Sequence, residues 1–254
     1  MSARPPAPAS KLRERFAVAG GKPAYVRGMF GRIARVYDLM NRLMTLGLDR
    51  RWRAFTARQI ALAPGQVALD VGTGTGDLAI AVARASAPDA RVVAIDFTPE
   101  MLQIGREKVR RLGLADRIEI QQGDGEGLAC AADIFDACCS AFVVRNLANV
   151  QQGFAEMLRV VRPGGKVACL EISHPRNALI AAGFRLYFGR LVPLLGSLVG
   201  RSADAYTYLP TSASVFPDAP TLKRIMESAG WREVRYYRLF GGVVAVHVGA
   251  KPRR

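Results

Sequence analysis

The chain has 254 residues, of which half are hydrophobic and 22% are charged, so it has enough apolar material for a folded core and is not a largely disordered protein. Its formal net charge of +15 favours a polyanionic partner, which is nucleic acid, an anionic membrane surface or an acidic substrate. The charge is uneven, because residues 1–60 carry +10, residues 61–171 carry −3 and residues 172–254 carry +8. A bias of the gene towards arginine explains this excess of positive charge as well as binding to a polyanionic partner does.

The cysteines, the N-terminal residues and the most apolar stretch argue against a metal-binding, a secreted or a membrane-spanning protein. The four cysteines form no CxxC pair and, with only two histidines, make no zinc set, so we expect buried thiols and no bound metal. Residues 1–10 lack the apolar core of a signal peptide, and residues 1–23 are interpreted as a loose tail. The most apolar stretch, 178–200, contains Arg185, Arg190 and Pro193 and is a poor membrane span. We therefore expect a cytoplasmic protein that is soluble or peripheral to a membrane.

Apolar periodicity predicts the elements in chain order. Residues 24–62 have helical spacing that is interrupted near Gly47, which predicts two leading helices. Strands are predicted at 67–71, 91–96, 117–122, 134–140 and 165–172, with helices at 78–87, 99–112 and 149–161. Because strands and helices alternate, we expect a doubly wound α/β fold with a parallel sheet covered on both faces.

The last third of the chain departs from this alternation. Residues 173–215 are predicted to form a basic and mostly helical insert, and residues 221–229 another helix. Two strands at 233–240 and 243–249, joined at Gly241-Gly242, predict an antiparallel hairpin at the sheet edge. We expect residues 24–254 to form one domain.

A glycine-rich loop follows the first predicted strand. It runs from Asp70 through Gly72, Gly74 and Gly76 to Asp77, at the strand end where open α/β sheets bind ligands. A dinucleotide loop would need glycine where Asp77 stands, and an acid at a helix start repels phosphate. The loop therefore favours a ligand that has a cationic portion and no phosphates.

Two more acids follow the next two strands. Asp96 ends the second strand, where a carboxylate can accept both ribose hydroxyls of a nucleoside, and Asp124 follows the third, near an adenine edge. Taken together, the loop and the acids resemble the class I S-adenosylmethionine-dependent methyltransferases, with a seven-stranded, mostly parallel sheet. Helix capping and turn formation are the alternative roles of these acids.

The segment after the fourth strand bears on nucleic acid as methyl acceptor. Enzymes that methylate base amino groups carry a [DN]-P-P-[YF] motif here, whereas this chain has Ser140 to Asn146 without proline. Cys138 and Cys139 lie inside an apolar strand and are interpreted as packing residues rather than nucleophiles. A nucleic-acid substrate is therefore not expected.

Several motifs outside the cofactor-binding pattern resemble the ubiquinone/menaquinone biosynthesis C-methyltransferase family. They are YDLMNRLM at 37–44, MLQIGREK at 101–108, Arg145-Asn146, LEIS at 170–173 and GGVVAVHVGAK at 241–251. The resemblance implies C-methylation of a polyprenylated quinol, with demethylmenaquinol favoured. Asp49 in place of the family's usual His, and Val143-Val144 in place of Gly-Leu, leave a benzoquinol acceptor open. Phospholipid N-methylation and a non-catalytic binding subunit remain further alternatives.

The chemistry of such a reaction suggests roles for individual residues. Arg145 would stabilise a phenolate, Tyr37 would close over the ring, and His174, which the family motif does not require, is a candidate base. An ordinary ion pair for Arg145 and a core aromatic for Tyr37 are the alternatives. The insert 178–200 is interpreted as an amphipathic lid that meets a prenyl tail and anionic lipid at the inner face of the membrane. The residues expected to bind S-adenosylmethionine are Asp70, Gly72, Gly74, Thr75, Gly76, Asp77, Asp96, Asp124, Gly125 and Ser140.

Overall fold

The computed structural model of the chain describes residues 16–19, 21–187, 189 and 203–253. Its helices are α1 (Lys22–Thr45), α2 (Leu48–Gln59), α3 (Asp77–Ala85), α4 (Pro99–Arg111), α5 (Val150–Val160), α6 (Ala178–Leu186), α7 (Ala203–Val215) and α8 (Ala219–Ser228). Its strands are β1 (Val67–Val71), β2 (Arg91–Asp96), β3 (Ile118–Gln122), β4 (Phe135–Ala141), β5 (Val161–Ile172), β6 (Arg232–Leu239) and β7 (Val244–Ala250).

The strands form one seven-stranded sheet in the order β3-β2-β1-β4-β5-β7-β6. β1 to β5 pair in parallel, and β7 pairs antiparallel with both β5 and β6. The predicted doubly wound α/β fold and the terminal hairpin are therefore confirmed. The order reverses between β2-β1 and β4, which places the carboxyl ends of β1 and β4 beside a crevice that can hold a ligand.

One expectation about element position needs correction. The helix predicted at 149–161 ends at Val160, and β5 already begins at Val161, because Val161 pairs with Phe135 before the register shifts between Phe135 and Ala137. Pro163-Gly164-Gly165 therefore interrupts a strand rather than separating a helix from it. The hairpin extends the sheet at the edge of β5 as predicted, with β7 paired to β5 and β6 as the new edge strand.

Helices cover the carboxyl-end side of the strands. Tyr25, Val26 and Met29 of α1 form a buried cluster with Tyr208 of α7, and Trp52 of α2 packs against residues of β5 and β7. This arrangement agrees with the predicted helical cap. Of the predicted insert, α6 and α7 are described and residues 190–202 lie outside the described residues. None of the described helices is long and apolar enough to cross a membrane.

Candidate active site

Two cavities lie at the carboxyl ends of the strands and share part of their walls. The first, called here the glycine-loop cavity, measures about 80 Å³ and is lined by Gly72, Gly74, Asp96 and Gly125 among others. An open groove of about 890 Å³ continues from it and shares Asp124. The second, called the apolar cavity, measures about 450 Å³ and lies between the cap helices and the sheet. Both cavities are lined by Phe30 and Tyr37, so these two side chains mark their boundary.

The glycine loop takes a backbone course that only glycine follows easily. Gly72, Gly74 and Gly76 have φ values of 67°, 56° and 84°, all in the left-handed region. At Gly72 an added Cβ would also lie 2.4 Å from Cγ1 of Val143. The loop thus approaches the segment after β4 more closely than any side chain at position 72 would allow.

Asp70 supports this loop from below. It is fully buried, and its carboxylate accepts a hydrogen bond of 2.7 Å from the Thr73 hydroxyl. Burial raises the pKa of Asp70 to about 6, against the lowering effect of that hydrogen bond. The structure thus places this predicted cofactor residue under the loop and not in the lining of the glycine-loop cavity.

The acids after β2 and β3 both reach the glycine-loop cavity, as the sequence predicted. The Asp96 carboxylate accepts the backbone N–H of Gly74 at 2.9 Å and that of Thr98 at 2.8 Å, which fixes its orientation at the cavity wall. Asp124 is exposed and accepts the backbone N–H of Glu126 at 2.9 Å. Asp96 also stabilises the start of α4, so the capping role and a ligand role are compatible.

Thr75 and Asp77 belong to a charged network instead. The Lys108 ammonium lies 2.8 Å from Asp77 and 2.5 Å from Asp38, whose carboxylate also accepts the Thr75 hydroxyl at 2.6 Å. Burial alone would raise the pKa of Asp77, but Arg53 and Lys108 hold it below its ordinary value. Asp77 is therefore ionised but already paired with cations, and its expected contact with the cofactor stays a prediction.

The expected contact of Ser140 with a cofactor stays a prediction. Ser140 lies in β4 with no exposed surface and is not among the residues that line the two cavities. The cysteines beside it behave as expected. Cys138 and Cys139 are buried, and burial raises the pKa of both thiols well above the ordinary value, which makes them poor nucleophiles.

Arg145 lies at the wall of the apolar cavity and is paired with a residue that the sequence reasoning did not select. Its Nη1 lies 2.6 Å from Oε1 of Glu171 at the end of β5, and both side chains are buried. The Nε–H of Arg145 is buried without a hydrogen-bond partner among the described residues. Glu171 therefore fixes the guanidinium of Arg145 at the wall of the cavity.

Phe142 separates two cations at the same wall. The guanidinium carbons of Arg53 and Arg145 lie 5.6 Å and 5.8 Å from the centre of its ring, within cation–π range. Phe142 has a φ of 60°, which is rare for a bulky residue and tends to occur at functional sites. Glu171 lies in the LEIS motif and Phe142 in the segment after the fourth strand. No sequence pattern gave a role to these two residues or to Arg53, because each becomes significant only through contacts between distant elements.

The remaining predicted catalytic residues differ in their surroundings. Tyr37 stands at the boundary of the two cavities with its ring edge against Phe30, and burial raises the pKa of its phenol although the charge of Arg53 opposes this. His174 lies outside the lining of both cavities, with Nε2 at 2.8 Å from the carbonyl oxygen of Phe216. Tyr37 and Arg145 are thus brought together at the apolar cavity, and His174 is not.

A parallel sheet with antiparallel β7, a glycine loop after β1 and acids after β2 and β3 define a class I S-adenosylmethionine-dependent methyltransferase. Solved structures of this class share the fold. A SAM-dependent methyltransferase from Aquifex aeolicus matches 75% of this chain and 85% of its own with a TM-score of 0.55 and 21% identity. Phosphoethanolamine N-methyltransferase 2 of Haemonchus contortus matches 75% of this chain and 50% of its own, with a TM-score of 0.54 and 14% identity.

The chain belongs to the ubiE/COQ5 methyltransferase family, whose model matches residues 18–251. It is 45% identical over 231 residues to the demethylmenaquinone methyltransferase of Roseiflexus sp. (strain RS-1), covering 91% of this chain and 94% of that protein. It is 38% identical over 233 residues to the ubiquinone/menaquinone biosynthesis C-methyltransferase UbiE of Teredinibacter turnerae, covering 92% and 94%. The family resemblance derived from the sequence motifs is thereby confirmed.

Proposed function

We propose that the chain transfers the methyl group of S-adenosylmethionine to a ring carbon of a polyprenylated quinol, with demethylmenaquinol as the favoured substrate. The observation that carries this proposal is the contact between the glycine-loop cavity and the apolar cavity at Tyr37 and Phe30. A methyl donor in the first cavity and an apolar acceptor in the second would face each other across this boundary. Such an approach is the main requirement of a methyl transfer.

The residues of the glycine-loop cavity suit the nucleoside of this cofactor. The left-handed glycines let a ligand approach the backbone, and Asp96 and Asp124 provide acceptors for hydroxyl and amino groups. The open groove beside Asp124 gives the nucleoside more space than the cavity alone. When bound, the cofactor supplies a methyl group that its sulfonium already activates. The protein therefore has only to orient the acceptor and to manage one proton.

The apolar cavity suits the ring and the proximal part of a prenyl chain. Its walls are mainly aromatic and aliphatic, with few polar groups at the end near Arg145 and Tyr37. A quinol hydroxyl beside Arg145 would lose its proton more easily, because the positive charge of the guanidinium stabilises the phenolate. The phenolate makes the neighbouring ring carbon nucleophilic. That carbon forms the new bond to the methyl group as the bond between the methyl group and the sulfonium sulfur breaks, so that neutral S-adenosylhomocysteine leaves. The carbon then loses its own hydrogen as a proton to water, and the product oxygen regains a proton, so that one proton is released in all.

Tyr37 and Arg145 have different roles in this proposal. The phenol of Tyr37 has a raised pKa, so it stays protonated at neutral pH and acts as a hydrogen-bond donor that closes the boundary of the two cavities. Arg145 supplies the positive charge. His174 receives no role, because its ring contacts a backbone carbonyl away from both cavities.

The second candidate acceptor is a benzoquinol. Relatives named for both the ubiquinone and the menaquinone pathway match this chain, although the two relatives at 45% identity are named as demethylmenaquinone methyltransferases.

We further propose that residues 24–254 act as one domain, and that the protein works peripherally at the cytoplasmic face of the membrane, where a polyprenylated substrate resides.

A direct assay separates these candidates. Purified protein is incubated with labelled S-adenosylmethionine and either chemically reduced demethylmenaquinone or the corresponding reduced benzoquinone. We expect ring methylation of the naphthoquinol. If neither quinol is methylated while the protein binds the cofactor, the substrate assignment is wrong, and preferential methylation of the benzoquinol would select the second candidate.

Arg145→Lys tests the role of Arg145 in the same assay. Lysine keeps a positive charge beside Glu171 but lacks the planar guanidinium and its Nε–H. We expect a loss of about 100-fold or more in kcat, the scale of a lost donor to a developing oxyanion, with unchanged cofactor affinity. Full activity in this variant would contradict the role of Arg145.

A further inference from the structure

The mouth of the apolar cavity carries exposed apolar side chains. Leu46 after α1, Ile180 of α6 and Phe240 after β6 all line the cavity, yet 79%, 40% and 62% of their surfaces are exposed. A side chain that both lines a cavity and faces solvent must stand at its opening. These three residues therefore form a ring around the entrance, which is called here the mouth rim.

Apolar side chains extend the mouth rim along α6. Ile180, Gly183 and others of α6 line the cavity, whereas Leu179 and Leu186 are 84% and 58% exposed. Leu179 and Leu186 are seven residues apart, so they lie on one side of the helix, about a quarter turn from the face that lines the cavity. They belong to the outer surface beside the entrance and do not line the cavity.

The end of α1 continues the same surface. The Tyr187 hydroxyl donates a hydrogen bond of 3.0 Å to the carbonyl oxygen of Met44, which joins the end of α6 to the end of α1. Leu39 and Leu43 of α1 are also exposed. The hydrogen bond of Tyr187 thus brings Leu186 of α6 and Leu43 of α1 to the same end of the cap, beside the mouth rim. Exposed apolar side chains that occur together are typical of an interaction surface.

The charges around this surface are positive. Arg42, Arg50 and Arg176 are exposed on the flanking segments. The acids of the neighbouring helices are already paired. Asp38 contacts Lys108, and Asp49 forms a buried pair with Arg53. The surface is therefore complementary to a negatively charged one.

We infer that the mouth rim, together with Leu39, Leu43, Leu179 and Leu186, docks onto an anionic lipid surface. Apolar side chains enter the headgroup layer while the arginines contact lipid phosphates, the usual combination for a peripheral protein. The apolar cavity then opens directly into lipid, so a prenyl chain passes from bilayer to cavity without crossing water. This inference rests on the proposed lipid-linked substrate, and it assigns the surface that delivers it.

The double variant Leu179→Glu/Leu186→Glu tests the inference, because neither residue lines the cavity. Its matched control is Leu112→Glu, at a position that is 41% exposed beyond the end of α4, at the opposite edge of the sheet. Cosedimentation uses vesicles of phosphatidylcholine alone and of phosphatidylcholine with phosphatidylglycerol. We expect the parent protein and Leu112→Glu to bind the anionic vesicles, and the double variant to bind about tenfold or more weakly.

Two activity measurements distinguish docking from catalysis. With a long-chain quinol embedded in anionic vesicles, the double variant should lose rate in proportion to its lost binding. With a water-soluble quinol that lacks the prenyl chain, its rate should equal that of the parent. If the parent does not methylate either quinol, the proposed function fails, whereas vesicle binding still tests the docking surface by itself.

Three results would overturn the inference. The first is equal binding of the double variant and the parent to anionic vesicles. The second is parent binding that does not depend on anionic lipid. The third is a parent dimer in sedimentation analysis that dissociates in the double variant, since the leucines would then form a contact between two copies of the chain.

Discussion

Replacement of Gly72 by alanine should damage the cofactor loop for two separable reasons. The φ of 67° at this position costs an L-residue about 1–2 kcal/mol. The added Cβ would also lie 2.4 Å and 2.5 Å from the two Cγ atoms of Val143, an overlap that costs about 1–3 kcal/mol more. We therefore expect the free energy of unfolding to fall by about 2–5 kcal/mol in total.

Gly113 provides a matched control for the conformational part. Its φ of 66° is almost the same, and an added Cβ there would meet nothing within 4 Å. Gly113→Ala should therefore cost only about 1–2 kcal/mol. The difference between the two alanine variants, measured by urea unfolding, then reports the contact with Val143 alone.

A double-mutant cycle checks the assignment of this contact. Val143→Ala removes both Cγ atoms and leaves a Cβ at 3.0 Å from the added atom. In that background Gly72→Ala should cost about 1–3 kcal/mol less than in the parent. Equal costs of Gly72→Ala and Gly113→Ala, or no coupling between positions 72 and 143, would refute the proposed contact. Calorimetric titration with S-adenosylmethionine should show that Gly72→Ala weakens cofactor binding less in the Val143→Ala background than in the parent, because both residues line the glycine-loop cavity.

Three further variants test the electrostatics of the site. Glu171→Gln leaves the buried charge of Arg145 without its partner and should lower the free energy of unfolding by about 3–5 kcal/mol. A loss below about 1 kcal/mol in urea unfolding would contradict the buried pair. Asp70 has a raised pKa of about 6, so the folded state binds its proton more tightly than the unfolded state does. The free energy of unfolding should therefore fall by up to about 3 kcal/mol as pH rises from about 4 to about 6. Asp70→Asn should lack this part of the pH dependence, and an identical urea-midpoint profile in parent and variant would show that Asp70 titrates normally. His174→Asn should keep the kcat/KM of the parent, since the ring is hydrogen-bonded to the carbonyl oxygen of Phe216 and lies outside the lining of both cavities. A large loss of kcat would make His174 a candidate base again.

Local patterns in the sequence were sufficient for most of the fold. The runs at 67–71 and 91–96 coincide with β1 and β2, because a fully buried strand needs a short run of β-branched residues bounded by turns. The glycine loop and Asp96 were found because their positions follow strand ends. Sheet order was not predictable in the same way, since the insertion of β7 between β5 and β6 depends on pairing between distant segments.

The same distinction between local patterns and contacts of distant segments applies to the candidate site. The motifs contain Tyr37 and Arg145, but they do not show which charged side chains form pairs. The pairing of Arg145 with Glu171 joins residues 26 positions apart, and that of Lys108 with Asp38 joins residues 70 positions apart. The surroundings of Ser140 and His174 were not predictable for a related reason. A position after or within a strand specifies an edge of the sheet, whereas the direction of a side chain depends on the packing around it.

The position of β7 has a consequence for the newly made chain. Until residues 244–250 leave the ribosome, β5 has an open edge, and β6 lacks the strand that pairs with it among the described residues. The wall that Val243 and Val244 give to the apolar cavity is also missing at that stage. An incomplete chain therefore exposes unpaired backbone and apolar surface together, the state in which proteins aggregate most readily. Biosynthesis of this protein should depend on chaperones that protect the nascent chain until its seventh strand is made.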